Sequence, residues 1–302
     1  MALKLHYKSS AGNVLDYTVN NGSKIYSRAT KKDGTFTHDG FVFQFNDAEK
    51  AIYMVLESAV AARPLQPLES EFTINQRFGF LEKFTNMVLD GETVSAIVTG
   101  EGGLGKSHTI MGELEKRGWI EGTQYVVVKG YATPKALYGT LWEHRDKTII
   151  FDDCDSVLKD AVSLNLLKGV LDSYDKRTIS WLQKGFIDDK LPNSFEFQGN
   201  IIFISNMSSD KLDQAVKSRS ITIDLSMTLK DKIERMNYIL PSVMPSYPMD
   251  TKQAALDFMA QHADIAKEFN MRTLQKIIKV THAYGVDNPE WKDAAKYLIT
   301  NV

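Results

Sequence analysis

From Glu71 onward the chain carries short, largely apolar runs at Val94 to Thr99, Tyr125 to Lys129, Lys147 to Phe151 and Ile201 to Ser205, with a short fifth strand at Ile221 to Leu225. A strand with one wet face alternates apolar and polar residues. An uninterrupted run predicts burial on both faces, which is the pattern of a parallel sheet. Helical periodicity fills the intervals, at about 73–90, Lys106 to Arg117, a helix opened by Thr133-Pro134, and Val157 to Leu171. Strands alternating with helices predict an α/β fold, a parallel sheet sandwiched between helices. Beyond Leu229 the pattern is helical throughout, at about 229–240, 251–268, 271–284 and 288–300.

The N-terminal pattern differs. Lys4 to Lys8, Val14 to Val19, Lys24 to Arg28 and Phe41 to Phe45 are short aromatic and β-branched runs separated by Gly12-Asn13, Asn21-Gly22, Asp33-Gly34 and Asp39-Gly40 turns. Phe41, Phe43 and Phe45 alternate, which assigns three rings to one face. Asn46 followed by Glu49 predicts a helix start, with Ile52, Leu56, Ala59 and Val60 inward and an end near Arg63. Pro64 and Pro67 then mark a stiff linker. The expected domains are a small antiparallel sheet with one helix at 1–66, an α/β domain at 72–228 and a helical lid at 229–302.

Composition narrows the class. In 302 residues, 43% are hydrophobic and 25% charged, the balance of a globular protein. A formal net charge of −2 excludes a uniformly basic nucleic-acid binder and leaves room for a local patch. Residues 1–40 hold such an excess, six basic side chains against three acidic ones, interleaved with Tyr7, Tyr17 and Tyr26. That face would suit stacking on single-stranded nucleic acid, but the favoured reading is a solvated strand face on a protein-docking domain. The single cysteine, Cys154, allows no internal disulfide. With no bilayer-length apolar run and no apolar leader, the expectation is a cytoplasmic protein with no membrane partner.

The most informative stretch lies between the Val94 strand and the Lys106 helix. Gly100-Glu101-Gly102-Gly103-Leu104-Gly105-Lys106-Ser107 reads G-x-x-x-x-G-K-[ST], the phosphate-cradling loop of nucleoside triphosphatases, and His108 follows it. Glycines let backbone N–H groups converge on phosphates, and the helix N-terminus adds its dipole. Lys106 is expected to reach the β- and γ-phosphates of ATP, and the Ser107 hydroxyl to bind Mg²⁺. A second candidate is Thr148-Ile149-Ile150-Phe151-Asp152-Asp153, an apolar strand delivering carboxylates at its C-terminal end, where α/β sheets bind ligands. Asp152 is the metal candidate and Asp153 the residue to polarise an attacking water; a plain helix cap at Asp155 is the other reading. Asn206 ends a further apolar strand and either contacts the γ-phosphate or closes a turn.

The order of these features, followed by Lys217-Ser218-Arg219 and Asn270-Met271-Arg272, resembles the AAA+ ATPases over about residues 72–302. The compact form is also similar to ATPases of bacteriophage and plasmid genomes. The resemblance implies that Asn206 is a sensor-1 residue, Arg219 an arginine finger directed into a neighbouring subunit, Arg272 a sensor-2 arginine, and 229–302 a lid. It implies a homo-oligomer, a hexamer, hydrolysing ATP with Mg²⁺. Surface arginines at a strand entry and at a helix start are the alternatives for Arg219 and Arg272.

Two departures from the family pattern stand out. Asp153 occupies the place of a usual Glu, which puts the speed of hydrolysis in question. Arg177 to Gly199 reads as two alternating strands around a loop, with Trp181, Lys184, Phe186 and Lys190 as residues for a pore-facing tip or, alternatively, a hairpin packed on the sheet edge. The six histidines have no metal spacing, and His108 reads as a packing residue. The expected activity is that of a motor or loader on DNA; a protein remodeller acting on a client and an ATP-binding assembly switch are the alternatives. GTP is not distinguished from ATP, because no base-reading residue stands out.

Overall fold

The computed structural model describes residues 3–8, 14–19, 35–38, 41–46, 51–55, 70–182 and 191–300. The chain divides into two compact units, Met1–Leu68 and Glu69–Val302.

The first unit holds strands β1 (Leu3–Lys8), β2 (Val14–Val19), β3 (Thr35–His38), β4 (Phe41–Asn46) and β5 (Ala51–Val55) in the order β2-β1-β5-β4-β3. Two expectations need correction. The sheet is mixed, because β1 and β5 run parallel, with Leu5 opposite Ile52. The helix predicted from Asn46 is, over Ala51–Val55, a strand. Ala-Ile-Tyr-Met-Val pairs on both edges, with β1 and with β4. Two ladders outweigh a local capping signal, the usual way that tertiary pairing overrides propensity. The Lys24–Arg28 strand, the rest of the expected helix and the Pro64/Pro67 linker lie outside the described residues.

The second unit is α/β. Strands β6 (Ser95–Thr99), β7 (Tyr125–Lys129), β8 (Thr148–Asp152), β11 (Asn200–Ile204) and β12 (Ile221–Asp224) form a sheet in the order β12-β6-β11-β8-β7. Every pairing in it is parallel. Burial on both faces explains the unbroken apolar runs. Ala96, Val98, Ile150, Ile202 and Ile204 face one core, shared with α1 (Ile74–Leu89), α2 (Lys106–Lys116) and the C-terminal helices. Ile97, Ile149, Phe151, Ile201 and Phe203 face the other, shared with α3 (Pro134–Glu143) and α4 (Ala161–Val170). Helix α1 opens with a capping box, in which Thr73 accepts from the Gln76 N–H and Gln76 accepts from the Thr73 N–H.

The helix expected over Val157 to Leu171 is two pieces, a 3-10 turn at Asp155–Leu158 and α4, whose N-cap Asp160 accepts from the Ser163 N–H at 2.7 Å. Asp155 does not cap; its carboxylate accepts from the Ser205 hydroxyl at 2.6 Å. Strands β9 (Arg177–Ser180) and β10 (Ser194–Phe197) form an antiparallel hairpin with Ile179 opposite Phe195. Ile179, Phe195 and Phe197 are buried in the second core, and the Trp181 ring lies 5.7 Å from that of Tyr138. Trp181 therefore belongs to packing rather than to a free tip; Lys184, Phe186 and Lys190 lie outside the described residues.

A short helix α5 (Gln214–Lys217) precedes β12, and helices α6 (Leu229–Ile239), α7 (Met249–Gln261), α8 (Met271–Tyr284) and α9 (Glu290–Thr300) complete the unit. The helix expected to continue to 268 ends at Gln261, and Asn270 starts the next by accepting from the Thr273 N–H at 3.0 Å. These helices share the first core with the sheet, so the C-terminal region is continuous with it.

Candidate functional site

Parallel strands place their C-terminal ends, and the loops that leave them, along one edge of the sheet. The order β6-β11-β8 sets three such ends side by side. From β6 comes the glycine-rich loop Gly100 to Ser107, from β8 come Asp152 and Asp153, and between them β11 leads to Ser205 and Asn206. Five of the residues singled out from sequence thus meet without any long-range motif linking them.

Gly100 has φ +129°, and a Cβ there would stand 2.8 Å from the carbonyl carbon and oxygen of Leu225. The loop leaves β6 hard against the end of β12. At Gly103, φ +75°, a Cβ would stand 3.3 Å from Asn270 Cβ, and the Gly103 carbonyl accepts from the Met271 N–H at 2.9 Å. The start of α8 is thereby tied to the loop. The Leu104 side chain is buried and anchors the loop in the first core. We expect Gly100→Ala to cost about 2–3 kcal/mol, from an unfavourable φ and a backbone overlap. Urea unfolding of the two proteins checks this.

Lys106 opens α2 and is only 5% exposed. Its ammonium donates to the carbonyls of Gly100 at 2.6 Å and Glu101 at 2.7 Å, and to Asn206 Oδ1 at 3.0 Å. Burial pushes its pKa down to about 8, opposed by the nearby Asp153, Asp152, Asp155 and Glu101. Asn206 bridges the two sides of the site, because its Nδ2 donates to Asp153 Oδ1 at 2.6 Å. Asp153 takes a left-handed φ of +54°, and its N–H donates to the Ile204 carbonyl at 3.0 Å. Asp tolerates this conformation better than most residues, so the strand end turns the carboxylate across toward Asn206.

Ser107 Oγ donates to Asp152 Oδ1 at 2.8 Å, and Lys129, at the end of β7, sits 3.3 Å from Asp152 Oδ2. A hydroxyl and a carboxylate oxygen this close fit a small hard cation that fills its other positions with water and phosphate oxygens. Among the described residues there is no cluster of three or more His, Cys, Asp or Glu groups able to hold a metal. A magnesium of this kind does not need one.

A cleft of about 580 Å³ opens on the loop. Its walls include Lys106, Ser107, Asp153 and Asn206 on the sheet side, and Arg235, Met271 and Arg272 on the helical side. Arg272, the second residue of α8, is exposed and faces this cleft. His108 is corrected from a packing residue to an exposed one on the cleft wall. The Glu101 carboxylate is taken by an ion pair with Lys232 of α6, a second tie between the helical region and the loop. Cys154 is buried, and burial raises its thiol pKa.

Arg219 is not brought to this cleft. It lies between α5 and β12, with its guanidinium donating to the Ala215 carbonyl at 3.0 Å. Its own carbonyl accepts from Ser95 Oγ at 3.3 Å, at the entry of β6. The loop starts at the other end of that strand, about 15 Å away at roughly 3.3 Å per residue.

Sequence reasoning missed Lys129, Lys232 and Arg235. None belongs to a motif. Arg235 left one trace, a cation beside Met236 on the buried side of α6.

No family model matches the chain. Over 174 residues it is 32% identical to a protein of Enterobacteria phage T4 described as an uncharacterized 36.7 kDa protein in the nrdC-mobD intergenic region. The match covers 53% of this chain and 53% of that protein, so the chain spans about half the length of the relative it matches.

Proposed function

We propose that the chain is a Mg²⁺-dependent ATPase of the AAA+ type, working as a homo-oligomer on DNA. The observation that carries the reading is the 2.8 Å contact between Ser107 Oγ and Asp152, made across two strand ends beside a lysine-bearing glycine loop. In this reading the loop's backbone N–H groups and the N-terminus of α2 hold the phosphates. Lys106 exchanges its carbonyl partners for phosphate oxygens. Bound magnesium would be held by Ser107 directly and by Asp152 through water, and would neutralise charge on the transferring phosphoryl group. Asp153 accepts a hydrogen bond from the attacking water, and Asn206, already bonded to both Lys106 and Asp153, fixes their spacing. Arg272 approaches from the helical side. Arg219 lies at the far end of the sheet, so its use as an arginine finger requires a neighbouring subunit, which is the argument for a ring such as a hexamer. Similarity to a phage T4 protein supports the bacteriophage side of the family likeness and says nothing of activity.

Phosphate release from ATP, measured alone and with single-stranded DNA, RNA or unfolded protein, tests the reading. Stimulation by DNA that fades with salt supports it; stimulation by unfolded protein alone replaces the DNA substrate with a protein client. A second reading, an ATP-binding switch with little turnover, draws on Asp153, whose side chain is one methylene shorter than Glu. ATP-dependent assembly without phosphate release under any of these conditions would establish it.

A pH dependence follows from Lys106. With its pKa near 8 in the empty site, the ammonium is charged at pH 7 and largely neutral at pH 9. A polyphosphate favours the charged form and raises that pKa, so binding takes up a proton. We expect affinity to fall between pH 7 and 9, and calorimetry at pH 8 in buffers of different ionisation heats to show uptake of about half a proton per ligand.

A further inference from the structure

Lys106 and Arg235 are both buried cations on the same cleft, and only one has its charge answered. Lys106 has three acceptors and several carboxylates around it. Arg235 is 8% exposed, and among the described residues no carboxylate lies within 4 Å of it. Glu82, one turn beyond Phe78 on α1, acts on it only at longer range, and Glu234 is engaged by Asn75 Nδ2 at 3.2 Å. One guanidinium nitrogen, Nη1, donates to Asn75 Oδ1 at 3.1 Å; Nε is buried with no partner among the described residues. The group lies 3.7 Å over the Phe78 ring, which fixes its plane. Burial disfavours its charge, yet a guanidinium does not discharge near neutral pH.

A buried, held cation with no carboxylate in contact, answered only by the Phe78 and Tyr238 rings and by Glu82 at longer range, costs the empty protein stability. It makes sense where an anion arrives. Arg235 follows Lys232 by one helical turn on α6, and Lys232 reaches Glu101 of the glycine loop. The same face of α6 therefore looks onto the loop. The cleft volume of about 580 Å³ is in the range of nucleotide-sized sites.

We propose that Arg235 is a second binding residue for the nucleotide, donating from the first C-terminal helix to a phosphate oxygen, in addition to Arg272. The proposal rests on the nucleotide reading above. It assigns α6 the role of sensing occupancy: an anion that engages Arg235 draws this helix onto the loop to which Lys232 and Met271 already tie the helical region.

The test compares the full chain with Arg235→Met, which keeps an unbranched side chain and deletes the charge, and with Arg235→Lys, which restores a charge. ADP with Mg²⁺ is the probe, and equilibrium dissociation constants and melting temperatures of the empty proteins are read. The expected result is an ADP affinity about 10- to 100-fold weaker in Arg235→Met, the range for one charge-assisted hydrogen bond. Arg235→Lys recovers part of it. The empty Arg235→Met protein melts no lower than the original, because an uncompensated buried charge has gone. ADP binding unchanged in Arg235→Met, or no better in Arg235→Lys than in Arg235→Met, overturns the proposal while leaving the nucleotide site intact. Failure of the unmodified chain to bind ADP removes the nucleotide reading itself, and this proposal with it.

Discussion

Lys106→Ala is expected to abolish detectable nucleotide binding, a fall of at least about 100-fold for ATP, while the protein stays folded. The size of the effect follows from where the ammonium sits. It is buried beneath the loop and surrounded by Asp152, Asp153 and Asp155. Remove it, and a polyanion entering the site meets three carboxylates with no internal cation at the floor of the loop. Charge-assisted hydrogen bonds of about 1.5–3 kcal/mol each are lost, and at 1.4 kcal/mol per decade one or two of them account for the fall. Folding should survive, because Lys106 itself lines the cleft and Glu101 is exposed, so water can take the place of the ammonium. Equilibrium binding of a fluorescent ATP analogue, with circular dichroism as the control for folding, checks both halves. Wild-type affinity in Lys106→Ala would mean that phosphates do not enter this loop.

The second large effect belongs to Arg219. Its substitution by Ala should leave ATP affinity nearly unchanged and cut turnover about 10³- to 10⁵-fold, the range for an arginine supplied in trans. Within one chain Arg219 stands at the entry of β6 and cannot contact a ligand at the exit. Its half-buried guanidinium donates to the Ala215 carbonyl at 3.0 Å, and among the described residues its Nε is buried without a partner. Reaching a neighbour's phosphate means giving up that one hydrogen bond. Mixing Arg219→Ala with Lys106→Ala gives a decisive readout, because each inactive protein carries what the other lacks. Phosphate release should reappear in the mixture, with a maximum at intermediate ratios. Equal turnover of Arg219→Ala and the unmodified protein would assign Arg219 to the surface.

Much of this was legible from residue order, for identifiable reasons. The central parallel strands announced themselves because both faces are buried: Ile149-Ile150-Phe151 and Ile201-Ile202-Phe203 feed alternate side chains to two separate cores. The glycine loop was legible because its conformations and close approaches exclude side chains, as at Gly100 and Gly103. Strand order was not legible, yet it is what sets Asn206 between Lys106 and Asp153. The N-terminal helix misread at 51–55 shows the limit of local signals, since pairing with β1 and β4 is a non-local contribution that no capping pattern reports. Arg235 was hidden for a related reason. Its meaning lies in what is missing around it, a carboxylate within 4 Å among the described residues, and absence of a spatial neighbour leaves no mark in sequence. Lys129 and Lys232 likewise gain significance only from Asp152 and Glu101 across the fold.

The central claim is that a triphosphate with its magnesium is gripped between the glycine loop and the acidic end of β8. Isothermal titration of the full-length chain with ATP, with and without Mg²⁺ at pH 7, tests it most directly. The account predicts one site per chain, a dissociation constant below about 100 μM with the metal, and weaker binding without it or in Asp152→Ala. No heat of binding and no rise in melting temperature at millimolar ATP and Mg²⁺ would contradict it.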